Sequence, residues 1–221
     1  MSIWTSERGR IRTIGVRTLL GLTMLMMLAG CLEAPASKSQ ALNRVAFYDG
    51  DVVVEGPRGY CVDAASLRRG LTGSFALIAS CESLTGRAGI YVEPAVMTVS
   101  VLPRGQNVQH PDAQAMARAL APAEVRVAED GDGISLVQVM QGGEKMLPGG
   151  DPVHWRAGMV INGHMVGLAI YGPAGRAVAG QEGRVLLQDL AEMLREASPE
   201  DVVARQSMHP DLMSGLFPVS N

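Results

Sequence analysis

The chain has 221 residues, of which 47% are hydrophobic and 19% are charged. This length suits one domain plus a targeting segment, and the composition excludes a disordered chain. Residues 1–30 carry a net charge of +3, which leaves 15 Lys and Arg against 21 Asp and Glu in residues 31–221. No nucleic-acid partner is expected, because neutralising phosphates requires clustered Lys and Arg.

The first thirty residues have the pattern of a secretory signal peptide. Four arginines between Arg8 and Arg17 precede an uncharged apolar run from Thr18 to Gly30, and this order is typical of a signal. As a helix the run rises only about 20 Å, too short for a hydrocarbon core of about 30 Å. We therefore expect a cleaved signal helix over residues 1–30 and no permanent membrane span.

The run ends in Leu28-Ala29-Gly30-Cys31, which resembles the lipobox of bacterial lipoproteins. The resemblance covers the signal peptide and its cleavage site. It implies cleavage between Gly30 and Cys31, a diacylglyceryl group on the Cys31 thiol and an acylated new amino terminus, and two or three acyl chains anchor a protein stably. The alternative is an ordinary signal peptide whose cleavage region contains a cysteine.

The residues after Cys31 indicate where the protein is held. Leu32 follows the cysteine, and by the sorting rule of enteric lipoproteins the absence of Asp here favours the outer membrane. Residues 33–43 are small, polar and contain Pro, which is typical of a flexible tether. We expect a lipid-anchored envelope protein facing the periplasm, with the lipidated cysteine and tether over residues 31–43 and a single domain with a C-terminal tail over residues 44–221.

The two other cysteines, Cys61 and Cys81, are expected to form a disulfide. An exported protein folds in an oxidising compartment, where an isolated pair most simply becomes one bond. Two metal-binding thiolates are the alternative, but no C-x-x-C or zinc-like histidine spacing accompanies them. No metal or cofactor is expected.

Up to residue 152 the chain alternates strand-like and turn-like segments around one short helix. A helix is predicted from Pro111 and Asp112, because Pro suits a first turn and an acidic residue suits the helix dipole. Its apolar face would carry Ala113, Met116 and Leu120. The predicted strands lie within 44–63 and at 74–81, 95–102, 124–129 and 133–141, and a glycine-rich loop follows at 142–152.

The strongest hairpin signal is Asn162-Gly163, which is flanked by apolar runs. A two-residue turn there predicts that Ile161 faces His164 and that Trp155 faces Ile170. The face predicted to enter the core carries Trp155, Ala157, Met159, Ile161, His164, Val166, Leu168 and Ile170.

A final amphipathic helix is predicted over residues 182–197, and its apolar stripe includes Leu186, Leu190 and Leu194. The element order predicts an α+β domain, a mainly antiparallel sheet with two principal helices packed on it. The same order resembles the Mog1/PsbP-type sandwich of some exported proteins. That resemblance carries no functional residue onto this chain.

A search for chemistry yields few candidate residues. There is no nucleophile elbow and no phosphate-binding G-K-[ST] motif. In the predicted hairpin His154 and His164 are about 20 Å apart, so they do not share a metal, and both are interpreted as surface or sheet-end residues. A small basic cluster is predicted beside the disulfide, able to contact an acidic partner or a lipid headgroup, or simply solvated: Arg58, Arg68, Arg69 and Arg87.

Two functions follow as hypotheses. The first is a non-enzymatic envelope module that is tethered to the membrane by lipid and binds a protein, lipid or wall component. The second is an envelope hydrolase whose site is assembled from distant residues, with Asp63, Arg68, His154 and Arg156 as the candidates. The absence of any nucleophile, metal or cofactor motif favours the first.

Overall fold

The computed structural model describes residues 40–199, so the predicted signal, Cys31 and most of the tether lie outside the described residues, as does the tail from Glu200. Within the described range the chain folds as a large antiparallel sheet with a few helices, which confirms the α+β class. The strands are β1 (Ala41–Leu42), β2 (Arg44–Phe47), β3 (Val52–Glu55), β4 (Tyr60–Asp63), β5 (Arg68–Gly70), β6 (Gly73–Ser80), β7 (Val96–Val101), β8 (Val125–Gly131), β9 (Ile134–Val139), β10 (His154–Ile161) and β11 (His164–Tyr171). The helices are α1 (Cys81–Thr85), α2 (Ala113–Ala119), α3 (Gly143–Met146) and α4 (Gln181–Ala197). Among these described residues no helix is long and apolar enough to cross a membrane.

The main sheet has nine strands in the order β1-β4-β6-β7-β11-β10-β9-β8, with β5 also paired to β6. Every pairing in it is antiparallel. Strands β2 and β3 form a separate hairpin. Strand β1 starts at Ala41, so the chain joins the sheet two residues before the predicted end of the tether.

The predicted hairpin at Asn162-Gly163 is present in the predicted register. Both residues have positive φ, 49° and 77°, which a two-residue turn of type I′ requires. Ile161 is opposite His164, and Trp155 is opposite Ile170. All eight side chains predicted for the core face are buried.

One face of the sheet is covered by α4 and the β2–β3 hairpin. The buried side chains of α4 include Leu187, Leu190 and Leu194, whereas Leu186 of the predicted apolar stripe is only partly buried. The helix is held at both ends. Near its start the Trp155 indole donates to the Gly180 carbonyl at 2.8 Å, and after its end Ser198 Oγ accepts from the Val53 amide at 3.0 Å.

The predicted disulfide joins Cys61 to Cys81, with the Cα atoms 4.9 Å apart. Cys61 lies in β4 beside β6, and Cys81 begins the short helix α1 directly after β6. The bond therefore reinforces one end of the β4–β6 pairing.

Three sequence expectations need correction. The glycine-rich loop contains the one-turn helix α3. His154 and His164 are buried, with 3% and 1% of their surfaces exposed, so neither is a surface residue. The basic cluster is divided, because Arg68 pairs with Phe75 near the start of β6, whereas the disulfide lies at the far end of that strand.

Candidate functional site

The second face of the sheet is only partly covered. Helix α2 packs over β8 and β9 through the small cluster of Ala113, Val137 and Val139, and it leaves the face of β7 and β11 open. Successive side chains of a strand point to opposite faces of the sheet. The residues of this face are therefore those that alternate with the core residues along each strand. One row that crosses five strands consists of Leu77, Thr98, Ala169, Arg156 and Val137.

The open part of this face forms a groove of about 410 Å³, which is within the usual range for small-molecule sites. Met116 and Leu120 of α2 form one wall, and Met146 of α3 extends into it with 58% of its surface exposed. The remaining lining residues are Phe75, Thr98, Ser100, Ala119, Arg156, Ala157, Gly167, Leu168, Ala169 and Tyr171.

Two paired glycines lie on this face of the sheet, and only Gly167 lines the groove. Gly158 and Gly167 are opposite each other on β10 and β11. A Cβ on Gly158 would lie 2.7 Å from Pro111 Cγ and 3.1 Å from Met116 Sδ, so the start of α2 packs directly on it. A Cβ on Gly167 would meet nothing within 4 Å. The groove thus owes its depth to the absence of a side chain at Gly167.

Arg156 is the charged group of the groove. It projects from the middle of β10 and is partly buried. Its Nε donates to His154 Nε2 at 3.3 Å, and Nη1 and Nη2 donate to no atom of residues 40–199. Within the same range no carboxylate lies at ion-pair distance from it. A partly desolvated cation without a carboxylate is energetically costly, which makes Arg156 a candidate anion-binding group.

His154 lies beside Arg156 on the same face of β10 and accepts a hydrogen bond from it. Because Nε2 accepts from Arg156, Nδ1 carries the proton and donates to the Pro152 carbonyl at 3.3 Å, a tautomer assigned from this hydrogen-bond network. Burial lowers the pKa of His154, and the Arg156 charge lowers it further. The ring also stacks on Tyr171, with centroids 5.0 Å apart. His154 is therefore a neutral, fixed acceptor that orients the guanidinium.

The arrangement suits binding better than bond making. The guanidinium presents two free donor nitrogens to an anion, and the Met, Leu and Phe walls suit an apolar tail. No described hydroxyl or thiol hydrogen-bonds to His154, whose partners are Pro152 and Arg156. The part of the chain that the structure describes also contains no cluster of three His, Cys, Asp or Glu side chains positioned for a metal ion.

The four candidate residues of the hydrolase hypothesis do not converge. His154 and Arg156 are neighbours on β10, whereas Asp63 ends β4 and Arg68 begins β5. Gly167, Met116 and Leu120 were not predicted from the sequence as site residues. The signal available for them was a pair of glycines, Gly158 and Gly167, on the face of the hairpin opposite the core residues.

His164 belongs to a separate polar cluster on the covered side. Its ring is stacked on Tyr48 with centroids 4.5 Å apart. Nδ1 lies 2.8 Å from the Leu102 carbonyl, and Nε2 lies 3.2 Å from Asp51 Oδ2, which is also 3.7 Å from Arg104 Nη2. These contacts join the turn after β2 to the end of β7, and they account for the buried imidazole structurally.

The chain was compared with protein-family models, with curated proteins and with solved structures, and none of these comparisons yields a match.

Proposed function

We propose that this protein is a lipid-anchored envelope lipoprotein whose domain is a non-enzymatic binding module. The ligand we propose is a small amphiphile with one anionic head group and an apolar tail. The observation that carries the proposal is Arg156, a half-buried cation that lines a largely apolar groove and has no carboxylate partner among the described residues. The lipid anchor on Cys31 supports the same role, because it places the domain where such amphiphiles are abundant.

The chemistry of the groove favours this ligand class over a peptide or a sugar. A sugar needs many polar partners, and the groove offers few beyond Arg156, Thr98 and Ser100. A carboxylate or phosphate head would accept from Nη1 and Nη2 of Arg156. The tail would then lie over Gly167, between Phe75 and Met116.

Native mass spectrometry of the protein, extracted from its host membrane in a non-ionic detergent, tests the proposal. We expect a mass for residues 31–221 with acyl chains, plus one bound amphiphile in part of the population. Where the site is empty, added decanoate should bind, and decanol is the uncharged match that should bind more weakly. Fragmentation of a bound molecule separates a carboxylate from a phosphate head group.

Two variants locate the site. Gly167→Leu should fill the groove and abolish binding, whereas the control Gly131→Leu should retain it, because Gly131 is likewise an open strand position but lies outside the groove. Arg156→Gln should weaken decanoate binding about tenfold to a hundredfold, as expected for a lost charged hydrogen bond, and should leave decanol unaffected. Equal binding by Gly167→Leu and Gly131→Leu, or no decanoate bound at all, would contradict the proposal. Hydrolysis of an added acyl ester would instead favour the hydrolase.

A further inference from the structure

The short hairpin between β5 and β6 ends in an unusually exposed apolar side chain. Gly70 pairs with Gly73, so Leu71 and Thr72 form the turn, and 99% of the surface of Leu71 is exposed. Leu102 lies at the same end of the sheet, with its Cδ2 beside Gly73 and 49% of its surface exposed. Exposing these side chains to water is unfavourable, by about 25 cal/mol for each Å² of apolar surface.

Two arginines flank this apolar tip on opposite faces. Arg68 pairs with Phe75 and Arg69 with Ser74, so successive side chains point to the two sides of the sheet. Both are exposed, and among residues 40–199 neither forms an ion pair with a carboxylate. Arg68 Nη1 donates to the carbonyls of Ala65 and Leu67, and Arg69 lies 5.3 Å from the Phe47 ring. Arg69 Nη2 also donates to the Ala46 carbonyl at 3.4 Å. Neither charge is neutralised by a carboxylate within residues 40–199, so both can attract an anionic surface.

The described chain enters the sheet level with the middle of β6. Ala41 pairs with Asp63 and Leu42 with Val62, so β1 runs away from the hairpin tip and Gln40 lies on the tip side of it. The Gln40 carbonyl accepts from the amide of Ala64 at 3.0 Å, and Ala64 is the first residue of the turn that leads into β5. The nine residues from Cys31 to Ser39 can span at most about 30 Å. The hairpin tip is thus within reach of any bilayer that holds Cys31.

We infer that the β5–β6 hairpin is a second membrane contact. Leu71 enters the interfacial region of the bilayer that holds the Cys31 lipid, and Arg68 and Arg69 contact anionic headgroups there. This inference rests on the lipid anchor of the proposed function. An apolar side chain flanked by basic residues is a recognised interfacial arrangement. The contact would fix the orientation of the domain, with the hairpin end toward the membrane and the loop that contains Tyr91 away from it.

A labelling experiment on the full lipidated protein tests the contact. Lipidated Cys31 and the Cys61–Cys81 bond leave no free thiol, so Leu71→Cys provides a unique site for an environment-sensitive fluorophore. Tyr91→Cys is the matched control, because Tyr91 is 79% exposed and lies at the opposite end of the sheet. The proteins are reconstituted in phosphatidylcholine vesicles with and without phosphatidylglycerol, and a spin-labelled phosphatidylcholine serves as the quencher.

We expect the label at 71 to shift to the blue and to be quenched by the spin-labelled lipid, more strongly with phosphatidylglycerol, while the label at 91 does neither. Arg68→Gln should lower the ratio of inserted to free tip about fivefold, as expected for one basic residue near an anionic surface.

Equal behaviour of the two labels, in protein that floats with the vesicles, would overturn the inference and leave the anchor intact. A blue-shifted label at 71 that the lipid does not quench would also overturn it, because another protein surface would then cover the tip. Protein that does not float with the vesicles would contradict the anchor and the inference together.

Discussion

Nε of Arg156 donates a hydrogen bond of 3.3 Å to Nε2 of His154, so one side chain of β10 orients the other. The acceptor exists only while the imidazole is neutral, and burial maintains that state by lowering the pKa of His154. The position of the Arg156 guanidinium in the groove is therefore linked to the protonation state of His154, its neighbour on the same face of β10.

This link predicts a loss of stability in mild acid. Unfolded His154 titrates near 6.5 and the folded residue titrates lower, so the unfolded state binds a proton first as the pH falls. The contribution of His154 is fully present above pH 6.5, and below it the free energy of unfolding should fall by at most about 1.4 kcal/mol per pH unit. Urea unfolding between pH 8 and pH 5 measures this slope. His154→Gln should make the slope shallower, and an unchanged slope would refute the assignment.

The two paired glycines should respond oppositely to alanine. Gly158→Ala places a Cβ against Pro111 and Met116, and overpacking of this kind costs about 1–3 kcal/mol. Gly167→Ala meets open space, so the unfolding free energy should stay the same or rise by up to about 1 kcal/mol, because the unfolded chain loses freedom. Chemical denaturation of both variants is the measurement. Equal destabilisation would show that the face of the sheet they share is packed as tightly at Gly167 as at Gly158.

Two carboxylates hold the start of α2, the helix that forms a wall of the groove: the N-cap Asp112, which accepts from the Ala115 amide at 2.7 Å, and Asp130. Asp130 accepts from the Ala113 amide at 3.0 Å and from the Ser135 hydroxyl, and the Ser135 bond in particular lowers the pKa of Asp130. Ionised Asp130 stabilises the folded state fully above the pKa that Asp130 has in the unfolded chain. This stabilisation is lost as the pH falls through the lower pKa of Asp130 in the folded state. Asp130→Ala should speed amide hydrogen exchange in α2 and weaken ligand binding in the groove. If amide hydrogen exchange became faster only in β8 and stayed unchanged in α2, Asp130 would not hold the start of α2.

Removing the disulfide should destabilise the domain without changing its topology. The bond joins cysteines 20 residues apart, and a loop of this length corresponds to about 3 kcal/mol of lost chain entropy in the unfolded state. The double variant Cys61→Ser/Cys81→Ser, compared with the oxidised parent by urea unfolding, should show a loss of this size. Reduction of the parent with dithiothreitol is the control and should give a similar loss. No change in either case would mean that β4 and β6 pair equally well in the unlinked chain.

Local sequence patterns predicted the structural elements that are determined by residues close together in the chain. Asn162-Gly163 adopts the positive φ values of a tight hairpin turn, and strict alternation on either side placed eight residues in the core. The stripe of α4 repeats at helical spacing, and the two cysteines outside the signal could pair only with each other once Cys31 was assigned to lipid. Each of these depends on neighbours in the chain, so the sequence alone determined them, whereas the signal peptide and the lipid anchor stay predictions.

The tertiary structure alone decided the burial of the two histidines and where the groove lies, because several strands contribute to each of these properties. The burial of His154 and His164 depends on Tyr171 and Tyr48, which stack on them from other parts of the chain. The groove exists because α2 covers Gly158 and stops short of Gly167. Within residues 40–199 Arg156 has no carboxylate partner, because the neighbouring strands place none beside it. Pairing brings together residues that are far apart in sequence, and no local pattern records which groups become neighbours or which surface stays uncovered.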